Sequence, residues 1–190
     1  MILPIVAYGH PVLKKVAREI TKDFPGLKDF ITDMWETMFQ GDGVGLAAPQ
    51  VNRSIRIIVI DASPYKEKYP ELGEFKRVFI NPKIYKTEGE EFSFNEGCLS
   101  IPGIREDVMR KPVVCLRYLD EQFQEHDERY EGVIARVFQH EYDHLEGFLF
   151  VDRISNLRKI LLTGKLNDIS KGKVDVDYKM MFPLLKKGKK

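Results

Sequence analysis

The chain holds four histidines in 190 residues, and two of them, His140 and His144, bracket Glu141-Tyr142-Asp143 as H-E-x-x-H. Residues four apart on a helix are rotated by about 40° and rise about 6 Å, so both imidazoles can reach one metal ion. Glu141 follows the first histidine by one residue. It is badly placed to be a third ligand, but its carboxylate can reach a water beside the metal. Two neutral nitrogen ligands with a base next to a nucleophilic water suit a metal-dependent hydrolase. His10 and His126 have no such context and read as structural or surface residues.

A catalytic metal wants a third protein ligand. No histidine follows His144, and the nearest downstream carboxylates are Glu146 and Asp152. Upstream, Glu96-Gly97-Cys98-Leu99-Ser100 puts Cys98 between a flexible glycine and a turn-prone Ser-Ile-Pro, where a strand end can present a thiolate. A Cys-His-His set with an open fourth position fits zinc or iron(II). The rival is a closed structural zinc site of Cys98, Cys115, His140 and His144. Against it, Cys115 sits within Pro112-Val113-Val114-Cys115-Leu116, where a free cysteine behaves as a small buried hydrophobe, and Glu141 would have no task. Gly43-Val44-Gly45-Leu46-Ala47-Ala48 matches the G-x-G-x-x-A dinucleotide pattern in form only. A helix precedes it rather than a strand, and Pro49 would interrupt the helix that must follow. The glycines better serve close approach of backbone to a ligand. Gln50, next in line, offers a neutral amide that can donate to a developing oxyanion.

These residues need elements to hold them. Val12, Leu13, Val16 and Ile20 are spaced for a short amphipathic helix. Leu27, Phe30, Ile31, Met34 and Met38 predict a longer one, with Pro25 in its first turn and Gly41-Asp42-Gly43 at its end. Strands are predicted at Ile55 to Ile60, Val78 to Tyr85, Val113 to Leu119 and near Gln124 to Tyr130, the last after a turn at Asp120-Glu121. Ser63 to Phe75, holding Pro70 and Gly73, reads as a surface excursion. The metal-binding helix should run from about Val133 to Leu145, closed by Gly147, and a further helix should start at Asn156. The order predicts an α+β fold: antiparallel or mixed β-sheets packed around a central metal-binding helix, with further helices near both termini.

Composition narrows the class. Hydrophobic residues make up 43% and charged residues 31%, ordinary for a globular protein and too apolar for a disordered one. Thirty basic and 29 acidic residues leave +1, so no global field draws nucleic acid or an anionic membrane. Two cysteines make no disulfide framework. Runs such as Ile57-Ile58-Val59-Ile60 are too short to span a bilayer, and Met1-Ile2-Leu3-Pro4 does not open a signal peptide. The expectation is a reducing, cytoplasmic setting, in which Asn52-Arg53-Ser54 is a chance glycosylation match. Residues 1–170 read as one catalytic domain. Residues 171–190 read as an extension whose basic end, Lys186, Lys187, Lys189 and Lys190, is a frayed, solvated terminus.

Taken together, the segments 43–50, 96–100 and 139–147 resemble the three signature motifs of the peptide deformylases, in order and rough separation, and the resemblance spans about residues 5 to 155. It implies removal of the N-formyl group from nascent chains that begin with formyl-methionine. It also implies iron(II) in the cell, with zinc or nickel able to substitute. By motif match Cys98, His140 and His144 are the metal ligands, Glu141 is the general base and acid, and Gln50 with the Leu99 backbone N–H are the oxyanion donors. Substrate would lie extended between Val44-Gly45 and Gly97 as an added strand. Its methionine would enter a slot lined by Val44, Val133, Val137 and the aliphatic stem of Arg136. The implied partners are N-formyl-methionyl nascent peptides, a role compatible with transient ribosome contact, without sequence-specific nucleic-acid binding or a membrane. The rival enzyme is an H-E-x-x-H endopeptidase; the rival outside enzymes is a structural-zinc interaction domain.

Overall fold

The apolar run of β3 (Ile57–Asp61) does not alternate because both of its faces are buried. Ile57 and Val59 pack with Ile31, Met34 and Met38 of α1 (Leu27–Gln40) on one side. Ile58 and Ile60 pack with Ala135, Val137, Phe138 and Leu145 of α2 (Gly132–Leu145) on the other. The computed structural model describes residues 1–70 and 74–184. Gly73 and the lysines at 186, 187, 189 and 190 lie outside them.

The main sheet is antiparallel, in the order β2 (Gly45–Ala47), β3, β4 (Lys76–Glu88), β7 (Val113–Leu119), β8 (Glu125–Glu131). A separate antiparallel hairpin joins β5 (Phe92–Cys98) to β6 (Ile101–Arg110). Helix α2 lies between sheet and hairpin, with apolar side chains toward the sheet and polar ones toward the hairpin. Helix α3 (Asn156–Ser170) packs on the buried face of the hairpin as well, where Leu162, Leu166 and Ile169 meet Ile101, Ile104 and Val108, while Arg105, Asp107 and Met109 on the other face are exposed. The chain then returns to pair β9 (Met180–Met181) with β1 (Ile5–Val6), the one parallel strand pairing among the described residues. The expected α+β class and central helix are borne out. No helix among the described residues is long and apolar enough to cross a membrane.

Two local expectations fail and a third is met only in part. The Val12 to Ile20 stretch is no α-helix: a short 3-10 turn covers Pro11–Lys14, and Lys15 is already extended. Its backbone bonds go elsewhere, from the Ala17 N–H to Leu145 O and from the Arg18 N–H to Ser54 O, while Val16 is exposed. One turn of helical spacing therefore coincided with residues that serve different neighbours. Pro25 is not in the first turn of α1; left-handed Gly26 stands between it and the helix. The excursion after Ser63 is only partly on the surface, since Tyr65, Tyr69 and Phe75 pack on the core between sheet and α2.

Of the β5–β6 hairpin, sequence reading catches only the strand end at Cys98. Along β6 the inward positions are Ile104, Glu106, Val108 and Arg110, so two of four are charged and no hydrophobic alternation appears. Arg110 joins Glu96 of β5 beneath the site, whereas Glu106 pairs with Arg158 of α3.

Candidate functional site

His140 and His144 stand one turn apart on α2, and Cys98 ends β5 at a register shift where it pairs with Ile101. One donor atom from each lies within 4.8 Å of the others. The Cys98 sulfur is 3.4 Å from His144 Nε2. The Glu96 carboxylate meets His140 Nδ1 at 2.8 Å, which turns Nε2 of that ring toward the other donors. Burial alone would raise the Glu96 carboxyl, but hydrogen bonds from Arg110 and His140 outweigh it and hold it well below the usual carboxylate range. Burial opposes charge on His140, yet the Cys98 sulfur and Glu96 raise its pKa well above the ordinary imidazole value. Burial keeps His144 neutral. A sulfur, two imidazoles and a carboxylate oriented behind one of them fit a divalent metal ion. The buried Glu141 Oε2, with no hydrogen-bond partner among the described residues, fits a polar centre completed by a further group.

Glu96 is the hub of a buried network that sequence reasoning missed. Arg110 grips it with two bonds, of 2.7 and 2.9 Å, and reaches Asp143 at 2.7 Å. Arg153 closes on the other side of Asp143. Arg136 donates to Glu96 at 3.1 Å, to Val108 O at 2.9 Å and to Phe92 O at 2.7 Å, with its guanidinium over the Phe92 ring. Buried charges are tolerated when paired in this way. The signals existed only in part. Glu96 lies two residues before Cys98 on a strand, the spacing that shares a face, and Asp143 is inside the H-E-x-x-H motif. Arg110 gave no local sign.

Glu141 is buried against β2. A Cβ built on Gly45 would lie 2.6 Å from Glu141 Oε1, so the glycine is required by the carboxylate's position. Burial pushes the Glu141 carboxyl up to about 7. Gln50 is oriented by β2 as well. Its Oε1 accepts the Ala47 N–H at 2.8 Å, which leaves Nε2 facing Cys98 Sγ at 3.4 Å. Leu99 follows Cys98 in the tight connection to β6.

These groups line a cleft of about 500 Å³ with Val44, Gly45, Gly97, Leu99, Arg136 and Val137 in its walls. Val133 is not in those walls. It is buried a turn deeper in the core between α2 and the sheet. Both β2 and β5 are edge strands, each with one sheet neighbour among the described residues. Cys115 is far from this cleft in kind and place. Its neighbours Val114 and Leu116 face α2, so Cys115 points to the opposite face of the sheet, in register with Lys86 and Arg129. The closed Cys₂His₂ site is thereby excluded.

An open cleft floored by the Cys98 sulfur, the His140 imidazole and the buried Glu141 carboxylate, with His144 directly behind Cys98, defines a metal-dependent hydrolase. Known proteins agree. The family profile described as polypeptide deformylase matches residues 2–160. The peptide deformylase of Flavobacterium johnsoniae is 55% identical over the whole of both chains. Among solved structures, a Plasmodium falciparum peptide deformylase superposes with a TM-score of 0.78 at 39% identity, over 87% of this chain and 94% of that one. One from Legionella pneumophila gives 0.79 at 35% identity, over 91% and 98%. The chain belongs to the polypeptide deformylase family, metal-dependent hydrolases that remove the N-formyl group from nascent peptides.

Proposed function

We propose that the chain carries out this reaction with Cys98, His140 and His144 as metal ligands, Glu141 as base and acid, and Gln50 with the Leu99 N–H as oxyanion donors. The observation that carries the reading is the convergence of Cys98, His140 and His144, the first two of them lining a cleft beside the buried Glu141 carboxylate and between two edge strands. A divalent ion held there supplies Lewis acidity, lowering the pKa of water and polarising a carbonyl. Iron(II) is the ion proposed for the cell, with zinc or nickel able to substitute.

Substrate enters extended, adding a strand between Val44-Gly45 and Gly97. Val44, Val137 and the stem of Arg136 receive the methionine side chain. Glu141 takes a proton from the attacking water and gives it to the leaving amine, and formate departs. As the formyl carbon becomes tetrahedral, Gln50 Nε2 and the Leu99 N–H donate to its oxygen. Gln50 needs no reorganisation for this, because Ala47 already holds the other end of its amide. The partners in this reading are formyl-methionyl nascent peptides, met at the ribosome in the cytoplasm.

The test is formate release from formyl-Met-Ala with the peptide bond left whole. Glu141→Gln should keep the metal and lose roughly 10²-fold or more in turnover. Cleavage of unformylated internal bonds would favour an endopeptidase, and a fully active Glu141→Gln would remove Glu141 from the mechanism.

A further inference from the structure

Residues 172–184 lie beyond the segment matched by the family profile, yet they reach the cleft. Val174, Met180 and Phe182 pack on the core beneath α3, and Asp175, Val176, Asp177 and Tyr178 stand in the cleft wall. The segment is tied down by backbone bonds from the Ile5 N–H to Lys179 O and from the Ala7 N–H to Met181 O, each 2.9 Å. From that anchored strap the Tyr178 hydroxyl donates to Leu99 O at 2.8 Å. The next carbonyl, Ser100 O, accepts the Tyr8 N–H at 2.9 Å. The Leu99 side chain is wedged against the Gly41–Gly43 turn, so close that a Cβ on either glycine would come within 3.0 Å of it.

The Cys98–Leu99–Ser100 turn is therefore held by contacts from three separate parts of the chain. It carries one proposed metal ligand and one proposed oxyanion donor. Leu99 O belongs to the Leu99–Ser100 peptide plane and the Leu99 N–H to the preceding Cys98–Leu99 plane. The two meet at the Leu99 Cα, so holding the first restricts the torsions by which the second could turn its donor off the reacting carbonyl. We propose that Tyr178 is a positioning residue of this site: through its hydrogen bond to the Leu99 carbonyl, the C-terminal strap fixes the backbone that aims the Leu99 N–H. The inference rests on the assignment of Leu99 as oxyanion donor. Tyr178 itself touches no reacting atom.

The experiment uses the full-length zinc-loaded protein with Tyr178→Phe, which keeps the ring in the wall and removes the hydroxyl, beside Tyr178→Leu, which removes both. Two readouts are needed. Amide hydrogen exchange at Leu99 and Ser100, followed by NMR, should quicken at least about fivefold in Tyr178→Phe, while amides of β7 do not change. With formyl-Met-Ala-Ser, kcat should fall about five- to tenfold, the net worth of one hydrogen bond, with KM within twofold of wild type. Zinc content should match wild type, and Tm should fall by no more than about 4 °C, the shift that about 1 kcal/mol gives in a chain of this size. Tyr178→Leu should do at least as much to kcat and also raise KM, since the wall is breached. Wild-type exchange and kinetics in Tyr178→Phe would reduce Tyr178 to a wall residue and overturn the proposal. So would a rise in KM alone, which would mean a contact with substrate. Faster exchange with unchanged kcat would keep the tether but sink its role in aiming the donor. Wild-type protein that releases no formate would instead refute the deformylase reading, and the exchange comparison would still judge the tether.

Discussion

Gly45→Ala should damage the reaction without touching the metal. The added Cβ would stand 2.6 Å from Glu141 Oε1, 2.8 Å from its Cγ and 2.9 Å from its Cδ, against ordinary contact at 3.4 Å, so the carboxylate must move by up to about 0.8 Å. The strand cannot move away instead. Gly45, Leu46 and Ala47 pair with Ile60, Val59 and Ile58, and the Ala47 N–H holds Gln50. Misplacement of a reacting group by about 1 Å costs roughly 10²-fold, so kcat/KM for formyl-Met-Ala should drop by about 30- to 100-fold. Metal content should stay at the wild-type level, because Cys98, His140 and His144 are untouched. An alanine in a strand without a clash would gain about 0.5–1 kcal/mol over glycine, so an unchanged or lower Tm reports the strain. The effect must pass through Glu141. The double variant Gly45→Ala/Glu141→Gln should therefore be no slower than Glu141→Gln alone, a non-additivity expected of residues in contact. Activity of Gly45→Ala within twofold of wild type, or additive losses in the double variant, would refute the reasoning.

Three further outcomes are expected. Cys98→Ala should lose metal on dialysis, whereas Cys115→Ala should bind it normally and cost at most a few kcal/mol of core stability; equal metal loss in a metal assay would contradict the geometry. Glu96→Gln removes the anion that orients His140 and pairs with Arg110, and metal affinity should fall about 10- to 100-fold, with an unchanged affinity in chelator competition counting against that role. Acetyl-Met peptides should react at least several hundred-fold more slowly than formyl-Met peptides. The extra methyl pushes the carbonyl off its donors, at roughly 10²-fold for about 1 Å and about as much again for a lost oxyanion contact; comparable kcat/KM values would indicate a general amidohydrolase.

The legible parts of this protein are those in which one residue type repeats at one spacing. The pair His140 and His144 carries its own geometry in the sequence because four residues make one helical turn. The strand Val113–Leu119 is β-branched and apolar on one face, and its bounds are as expected. The hairpin that supplies Cys98 was hard to read because its inner face sets Glu96, Glu106 and Arg110 among Ile104 and Val108, which breaks the hydrophobic alternation. The same exchange of hydrophobic for ionic burial hid the orienting carboxylate. The 3-10 turn at Pro11–Lys14 was misread because its continuation is decided by partners distant in sequence, Ser54 and Leu145. Tyr178 could not be linked to Leu99 from sequence at all, since nothing local couples positions so far apart.

The parallel pairing of Ile5 with Met180 and of Val6 with Met181 also orders the protein's own synthesis. Closing a loop between opposite ends of a chain has an entropy cost that grows only slowly with length. The cost is therefore bearable, but the contact cannot form until the segment around Met180 has been made. Chains emerge at about 5–20 residues per second, and throughout that time β1 waits without its neighbour. The helix bearing both imidazoles and the hairpin bearing the sulfur are already made by then, so metal donors precede the strap. The proposed metal donors are thus made before the strap that bears Tyr178, and a chain truncated before Tyr178 would hold them in a cleft with one wall missing.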